Sequence, residues 1–161
     1  MPALQRTGKE ISEIYNRQVD TVYRICFSFM RNTNDTEDMV QETFLRLISS
    51  GTVFVSEEHE KAWLIVTASN LCKDTLRKWW RKTENIEDPA LGLQQPPYEI
   101  DSVLDAIMKL PVDQKCAVYM YYYEGYSTMD IASYLGCPHA TVRSRLSRAR
   151  KTLKKKLGGD F

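Results

Sequence analysis

The stretch "LGCPHATVRSRLSRARKTLKKKL", Leu135 to Leu157, puts three kinds of chemistry into one short run. Cys137 and His139, two apart, are metal-donor types. Ser144 and Ser147 carry hydroxyls. Arg143, Arg145, Arg148, Arg150, Lys151, Lys154, Lys155 and Lys156 are cations with no acid among them. A zinc site takes about four ligands, and neither Cys137 nor His139 has further donors at ligand spacing. His59, the other histidine, is equally alone. No Ser/His/Asp or Cys/His arrangement can be assembled from the sequence, so the reading is no metal, no cofactor, no small-molecule substrate and no catalytic group. The chemistry left is recognition of a polyanion. Arginine and lysine hold phosphates, and arginine and serine can reach base edges.

Those side chains need an element to aim them. Ser127 with Asp130 reads as a helix N-cap with an acid in the first turn. Ile131 and Leu135 share a face. Gly136 stands where a left-handed helix stop is needed, and Pro138 suits the turn or the opening of the next helix. This is a helix-turn-helix pattern. At about 100° per residue, Val142, Leu146, Ala149 and Leu153 fall on one narrow apolar stripe. The opposite face carries Ala140, Ser144, Ser147, Arg148 and Lys151, flanked by Arg143, Arg145 and Arg150. A solvated basic helix would show the charge run alone. The cap, the glycine and the apolar stripe in register point to a helix that enters the major groove. His139, at the helix entrance, could touch a phosphate. Upstream, Tyr119, Tyr122, Tyr123 and Tyr126 have helical spacing and read as a core stripe.

A second constellation lies in "EKAWLIVTASNLCKDTLRKWWRK", Glu60 to Lys82. On one helix Leu64, Ile65, Ala68, Cys72, Leu76 and Trp79 share the buried side. Trp63, Thr67, Asn70, Lys73, Arg77, Lys78 and Arg81 share the other, with Asp74 the only acid. An aromatic to stack, an amide to read a base edge and cations for the backbone form a chemistry for unpaired bases. A surface helix with one misplaced Trp is the competing reading of these residues alone. A third feature is "DTEDMVQETFLRLI", Asp35 to Ile48, with Val40, Phe44 and Leu47 facing inward. Asp38, Gln41, Glu42 and Leu45 lie on the other face, where a leucine between carboxylates suits a basic, partly apolar helical partner.

The whole chain fits this division. It has 161 residues, 43% apolar and 27% charged, with net charge +1. Basic clusters at Lys73 to Lys82 and Arg143 to Lys156 flank an acidic stretch, Glu84 to Met108, that holds no Lys or Arg. Separated basic faces argue for two polyanion contacts better than net charge does. No apolar run approaches the roughly 18 residues of a membrane span, and the start lacks the apolar core of a signal peptide. The four cysteines are scattered without Cys-x-x-Cys spacing, which fits reduced thiols in the cytosol. Periodicity predicts helices near 9–31, 35–50, 58–82, 99–109, 112–124, 128–135 and 139–157. The fold class is therefore all-α: two small helical domains, 1–83 and 101–161, joined by a flexible acidic linker, 84–100, with the helix-turn-helix in the second.

Taken together, the two units resemble a bacterial extracytoplasmic-function (ECF) sigma factor, the minimal two-domain member of the main sigma family. "TEDMVQETFLRL" resembles region 2.2. "WLIVTASNLCKDTLRKWWRK" is similar to regions 2.3 to 2.4, with landmarks at Trp63-Leu64, Asn70 and Asp74 to Arg77. "LPVDQKCAVYMYYYEGYSTMDIASYLGCPHATVRSRLSRARKTL" resembles region 4. The resemblance implies that Asp38, Gln41, Glu42 and Leu45 dock on the clamp coiled coil of core RNA polymerase. It implies that Asn70, with the Ser50–Glu60 loop, captures a base flipped from the minus-ten non-template strand. Trp63 lies on the same minus-ten face, and Lys73, Arg77 and Lys78 would hold the opened strand. Arg143, Ser144, Ser147 and Arg148, with Lys151, would bind the minus-thirty-five duplex. The implied partners are core RNA polymerase, promoter DNA and an anti-sigma factor. The "GTVFVSEEHEK" loop departs from the family's commoner Phe-Arg-Gly form, and some relatives carry an aromatic where Ser147 stands. A helix-turn-helix regulator that never engages polymerase would account for the C-terminal unit but not for the Leu45 patch or the Trp63–Asn70 stripe.

Overall fold

The computed structural model describes residues 6–82 and 101–157, and the linker expected over 84–100 lies outside the described residues. These residues gather into two compact units, each described by itself. Both are helical, and there is no strand among the described residues.

The first unit is three helices: α1 (Gly8–Met30), α2 (Thr33–Ser49) and α3 (Glu57–Lys82), each packed on the other two. Thr7 caps α1 by accepting from the Glu10 N–H at 3.1 Å. Arg31 ends it in the left-handed conformation, φ 64°, with its N–H on the Phe27 carbonyl. Asn32 then caps α2 by accepting from the Asp35 N–H at 2.8 Å. The helix thus starts two residues earlier than periodicity predicts. Thr33, Asn34 and Asp35 are all cap formers, and periodicity cannot rank them against Asn32. The core interleaves Val22, Ile25, Cys26 and Phe27 with Val40, Phe44 and Leu47 and with Leu64, Ile65, Ala68 and Cys72. Each large apolar side chain among them contributes about 1.5–3 kcal/mol of burial.

One polar group is built into this interior. Glu60, in the first turn of α3, is only 4% exposed. Its carboxylate accepts from Arg17 Nε and Nη2 at 3.0 and 2.9 Å and from Gln18 Nε2 at 2.9 Å. Burial pushes the Glu60 carboxyl up, but hydrogen bonds from Arg17 and Gln18 and the charges of Arg17 and Arg6 outweigh it, so the group stays below the usual carboxylate range.

The second unit holds α4 (Ser102–Met108), α5 (Val112–Val118), a π-helical turn (Tyr119–Tyr123), α6 (Thr128–Leu135) and α7 (His139–Leu157). α7 lies against α5 and α6, and α4 packs on α5 and the π turn. The sequence predicts one helix over 112–124, but the ladder widens at Tyr119, where the Glu124 N–H reaches the Tyr119 carbonyl at 3.1 Å. The wide turn carries Tyr119 and Tyr123, whose rings stack at 4.9 Å and 13°. It also breaks the expected tyrosine stripe. Tyr119 and Tyr126 are buried, whereas Tyr122 is 38% exposed, because the extra residue in the turn rotates it off the core.

Ser127 caps α6 by accepting from the Asp130 N–H at 3.1 Å. Gly136 stops it at φ 64°. Its N–H bonds the Ser133 carbonyl, and the Cys137 N–H bonds the Ala132 carbonyl at 3.1 Å, the double closure that ends a helix through a left-handed residue. α7 opens immediately after Pro138, and His139 Nε2 lies 2.6 Å from Thr128 Oγ1, joining the first residues of the two helices. Cys137 and His139 thus serve the corner. Among the described residues no group of three or more His, Cys, Asp or Glu is placed to hold a metal ion.

Two outcomes follow from these constraints. Glu60→Ala should destabilise the protein by about 1–3 kcal/mol at neutral pH, since Gln18 loses its buried acceptor. Glu60's folded pKa is depressed, so its stabilisation is present above the unfolded carboxylate value and lost as pH falls through the folded one. The gap between wild type and variant should therefore close on acidification, which paired urea melts would measure. At Gly136 an added Cβ meets nothing within 4 Å, so Gly136→Ala should cost about 1 kcal/mol from backbone strain alone. Gly136→Asn should cost less, by thermal melts.

Candidate nucleic-acid interfaces

α7 divides as its spacing predicts. Val142, Leu146, Ala149 and Leu153 are buried. Arg143, Ser144, Ser147, Arg148 and Lys151 recur at three- and four-residue intervals and lie on the side away from that stripe. Arg150 differs from its neighbours. Its Nε donates to the Tyr122 hydroxyl at 2.6 Å, and its guanidinium lies 5.9 Å from the ring centres of both Tyr121 and Tyr122. The residue that the π turn rotates outward thus holds one cation of this helix. No local spacing signal links positions 122 and 150.

On α3 the expected outward stripe is also present. Asn70, Arg77, Lys78 and Arg81 are exposed, and Trp63, Thr67 and Lys73 are half-buried. Arg77 lies 3.7 Å from Asp74, both well exposed, so the pair adds little to stability. The inward stripe holds for Leu64, Ile65, Ala68 and Cys72, but Leu76 is half-buried and Trp79 is 40% exposed. That is a correction to the expected buried face. α3 has 26 residues, about 39 Å, against 17 residues, about 26 Å, for α2. From Arg77 to Lys82 every side chain is exposed, so the apolar register of the helix runs on past its buried stretch. Trp80, in that segment, is 54% exposed.

The loop before α3 is tied to this stripe. The Phe54 ring sits 5.8 Å from Trp63 and 5.3 Å from His59, edge-on to both. The Val55 N–H reaches His59 Nδ1 at 3.2 Å, and the His59 N–H reaches Ser56 Oγ at 3.0 Å.

The α2 surface carries the third group. Asp38, Gln41, Glu42 and Leu45 are all exposed, Leu45 by 55%. Ile48, one turn further on and 46% exposed, extends the patch beyond the residues singled out from sequence. Tyr15 of α1 is 44% exposed, with its ring 4.8 Å from that of the buried Phe44. An i, i+3 continuation from Leu45 is the signal that would have found Ile48.

Comparison with known proteins gives the family of the chain. Residues 14–82 match the family described as Sigma-70 region 2, and residues 100–153 the one described as Sigma-70, region 4. The ECF RNA polymerase sigma factor EcfG of Rhodopseudomonas palustris is 31% identical over 84% of this chain and 78% of its own length. The ECF RNA polymerase sigma-E factor of Haemophilus influenzae is 34% identical over 77% of this chain and 75% of its own. SigX of Bacillus subtilis is 25% identical over 88% and 80%. In fold, the chain is similar to the sigma factor RpoE solved in complex with the anti-sigma factor NepR from Bartonella quintana. The TM-score is 0.74 at 24% identity, covering 95% of this chain and 99% of that one. With both sigma regions matched in order on two helical units, and relatives aligned over most of their length, the chain belongs to the ECF sigma factors of RNA polymerase.

Proposed function

We propose a division of labour for this sigma factor. Residues 1–83 dock on core polymerase and take the melted minus-ten strand, 84–100 connect, and 101–161 read the minus-thirty-five duplex. In the second unit, α7 enters the major groove with Arg143, Ser144, Ser147 and Arg148 towards base edges and Lys151 on phosphate. In the first, Trp63 offers a stacking face, Asn70 an amide for a base edge, and Lys73, Arg77 and Lys78 cations for the opened strand. Asp38, Gln41, Glu42 and Leu45 meet the polymerase clamp, the apolar centre sealed within a polar rim.

The observation that carries this reading is the outward stripe of α3. It joins an aromatic, an amide and cations on a helix whose other side is core. A duplex reader needs no such face. The protein itself breaks no bond. It stabilises unstacked bases, each costing a few kcal/mol to extrude, while polymerase performs the chemistry. It works beside the chromosome in the cytoplasm; none of its described helices is long and apolar enough to cross a membrane. An anti-sigma factor is the expected inhibitor, as the Bartonella relative was solved with one.

Leu45→Arg should weaken core polymerase binding by about tenfold or more, as for a well-packed interface residue. Unchanged affinity for it and for Glu42→Lys would remove the docking face. Arg148→Ala should cost about 1–3 kcal/mol on the cognate upstream element and less on random duplex. An equal loss on both in a gel-shift titration would make Arg148 a phosphate contact only. Run-off transcription with purified core enzyme tests the whole assignment.

A further inference from the structure

Arg6 lies ahead of α1 in sequence, yet it is anchored on the loop between α2 and α3. Its Nη1 donates to the carbonyls of Leu47 at 3.3 Å and Ser50 at 3.0 Å, and its Nη2 donates to the Thr52 carbonyl. The guanidinium also lies 4.9 Å from the centre of the Phe54 ring. The first carbonyl belongs to the last turn of α2, where the helix itself supplies no complete set of partners. The others belong to non-helical backbone. One planar fork therefore fixes the chain's path from the end of α2 to Phe54. A lysine ammonium, a point donor, could not span the same set.

The loop is held from the other side as well. Ser50 Oγ accepts from the Thr52 N–H at 3.0 Å, Phe54 rests on Trp63 and His59, and Val55 is bonded to His59. With Phe54 turned inward, Val53 and Val55 on either side are 65% and 87% exposed. Two apolar side chains on a loop pinned at both ends form a rigid surface. Phe54 joins that surface to Trp63, about 10 Å along α3 from Asn70.

We propose that Arg6 is a positioning residue for minus-ten base selection. It holds the Val53–Phe54–Val55 segment as an apolar wall against which an unpaired base is seated beside the Trp63–Asn70 stripe. This rests on the reading of that stripe as the minus-ten surface, and it adds a residue outside both matched regions, the first of which begins at position 14.

The test uses the full chain with core polymerase on a promoter library randomised across the minus-ten element. The readout is the ratio of the best to the worst base at each position. Arg6→Ala and Arg6→Lys should both lower that ratio by about tenfold at one position, the discrimination that apolar packing around one small group is worth. Core affinity should be unchanged. Arg6→Lys keeps the charge, so it decides the matter even if Arg6→Ala folds poorly. A loss of rate equal on all promoters, with base ratios intact, would make Arg6 merely structural and overturn the proposal. So would wild-type ratios in Arg6→Lys. Asn70→Ala separates the two levels. If it too preserves every ratio, the minus-ten reading of α3 fails; if it flattens them while both Arg6 variants do not, only the role of Arg6 fails.

Discussion

Glu60 is a carboxylate with almost no water, and one rotation of α3 gives it both Arg17 and Gln18. A carboxylate stripped of solvent without such partners is strongly unfavourable. The helix is therefore phased about its axis from its first turn. Three residues later that phase puts Trp63 beside the loop, and two turns beyond it puts Asn70 in solvent. Turning the helix by one residue, about 100°, would send the carboxylate out and the Asn70 stripe towards the core. The apolar contacts hold the bundle together, while this polar cluster selects which side of α3 faces outward.

The second unit reaches the same end by other means. The narrow apolar stripe of α7 sets its phase, because turning that stripe outward would bury arginines and lysines in its place. Its direction comes from the corner before it, where Gly136 reverses the chain and His139 is joined to Thr128. A sharp helix stop and a one-sided apolar face are sufficient to aim a row of cations.

These two solutions were unequally visible in the sequence. The helix-turn-helix is local: cap, glycine and stripe lie close together along the chain, and each has its own chemical signature. The exposed faces of α2 and α3 could also be read, because amphipathic spacing reports inside and outside directly. What could not be read depends on lengths and on distant pairs. Trp79 continues the register of Ile65, Ala68 and Cys72, but that register does not say where burial ends along the helix. Tyr122 has helical spacing to Tyr119, yet a wider turn intervenes. Glu60 looks like an ordinary first-turn acid until α1 brings Arg17 and Gln18 to it. Arg6 has no pattern at all, since its acceptors lie 41 and 44 positions away and beyond.

The exposed end of α3 has a thermodynamic consequence of its own. Between Leu64 and Cys72, opening a backbone amide means unpacking the bundle, so those amides share the stability of the whole unit. From Arg77 to Lys82 no side chain is buried, and a helix end of that kind can unwind alone at little cost. One continuous helix thus contains a long ordered stretch and a short last stretch whose order depends on what lies against it. Contacts with the first stretch give up no backbone conformational entropy. Contacts with the last carry an ordering term, and this makes the grip on a strand graded along the helix rather than uniform.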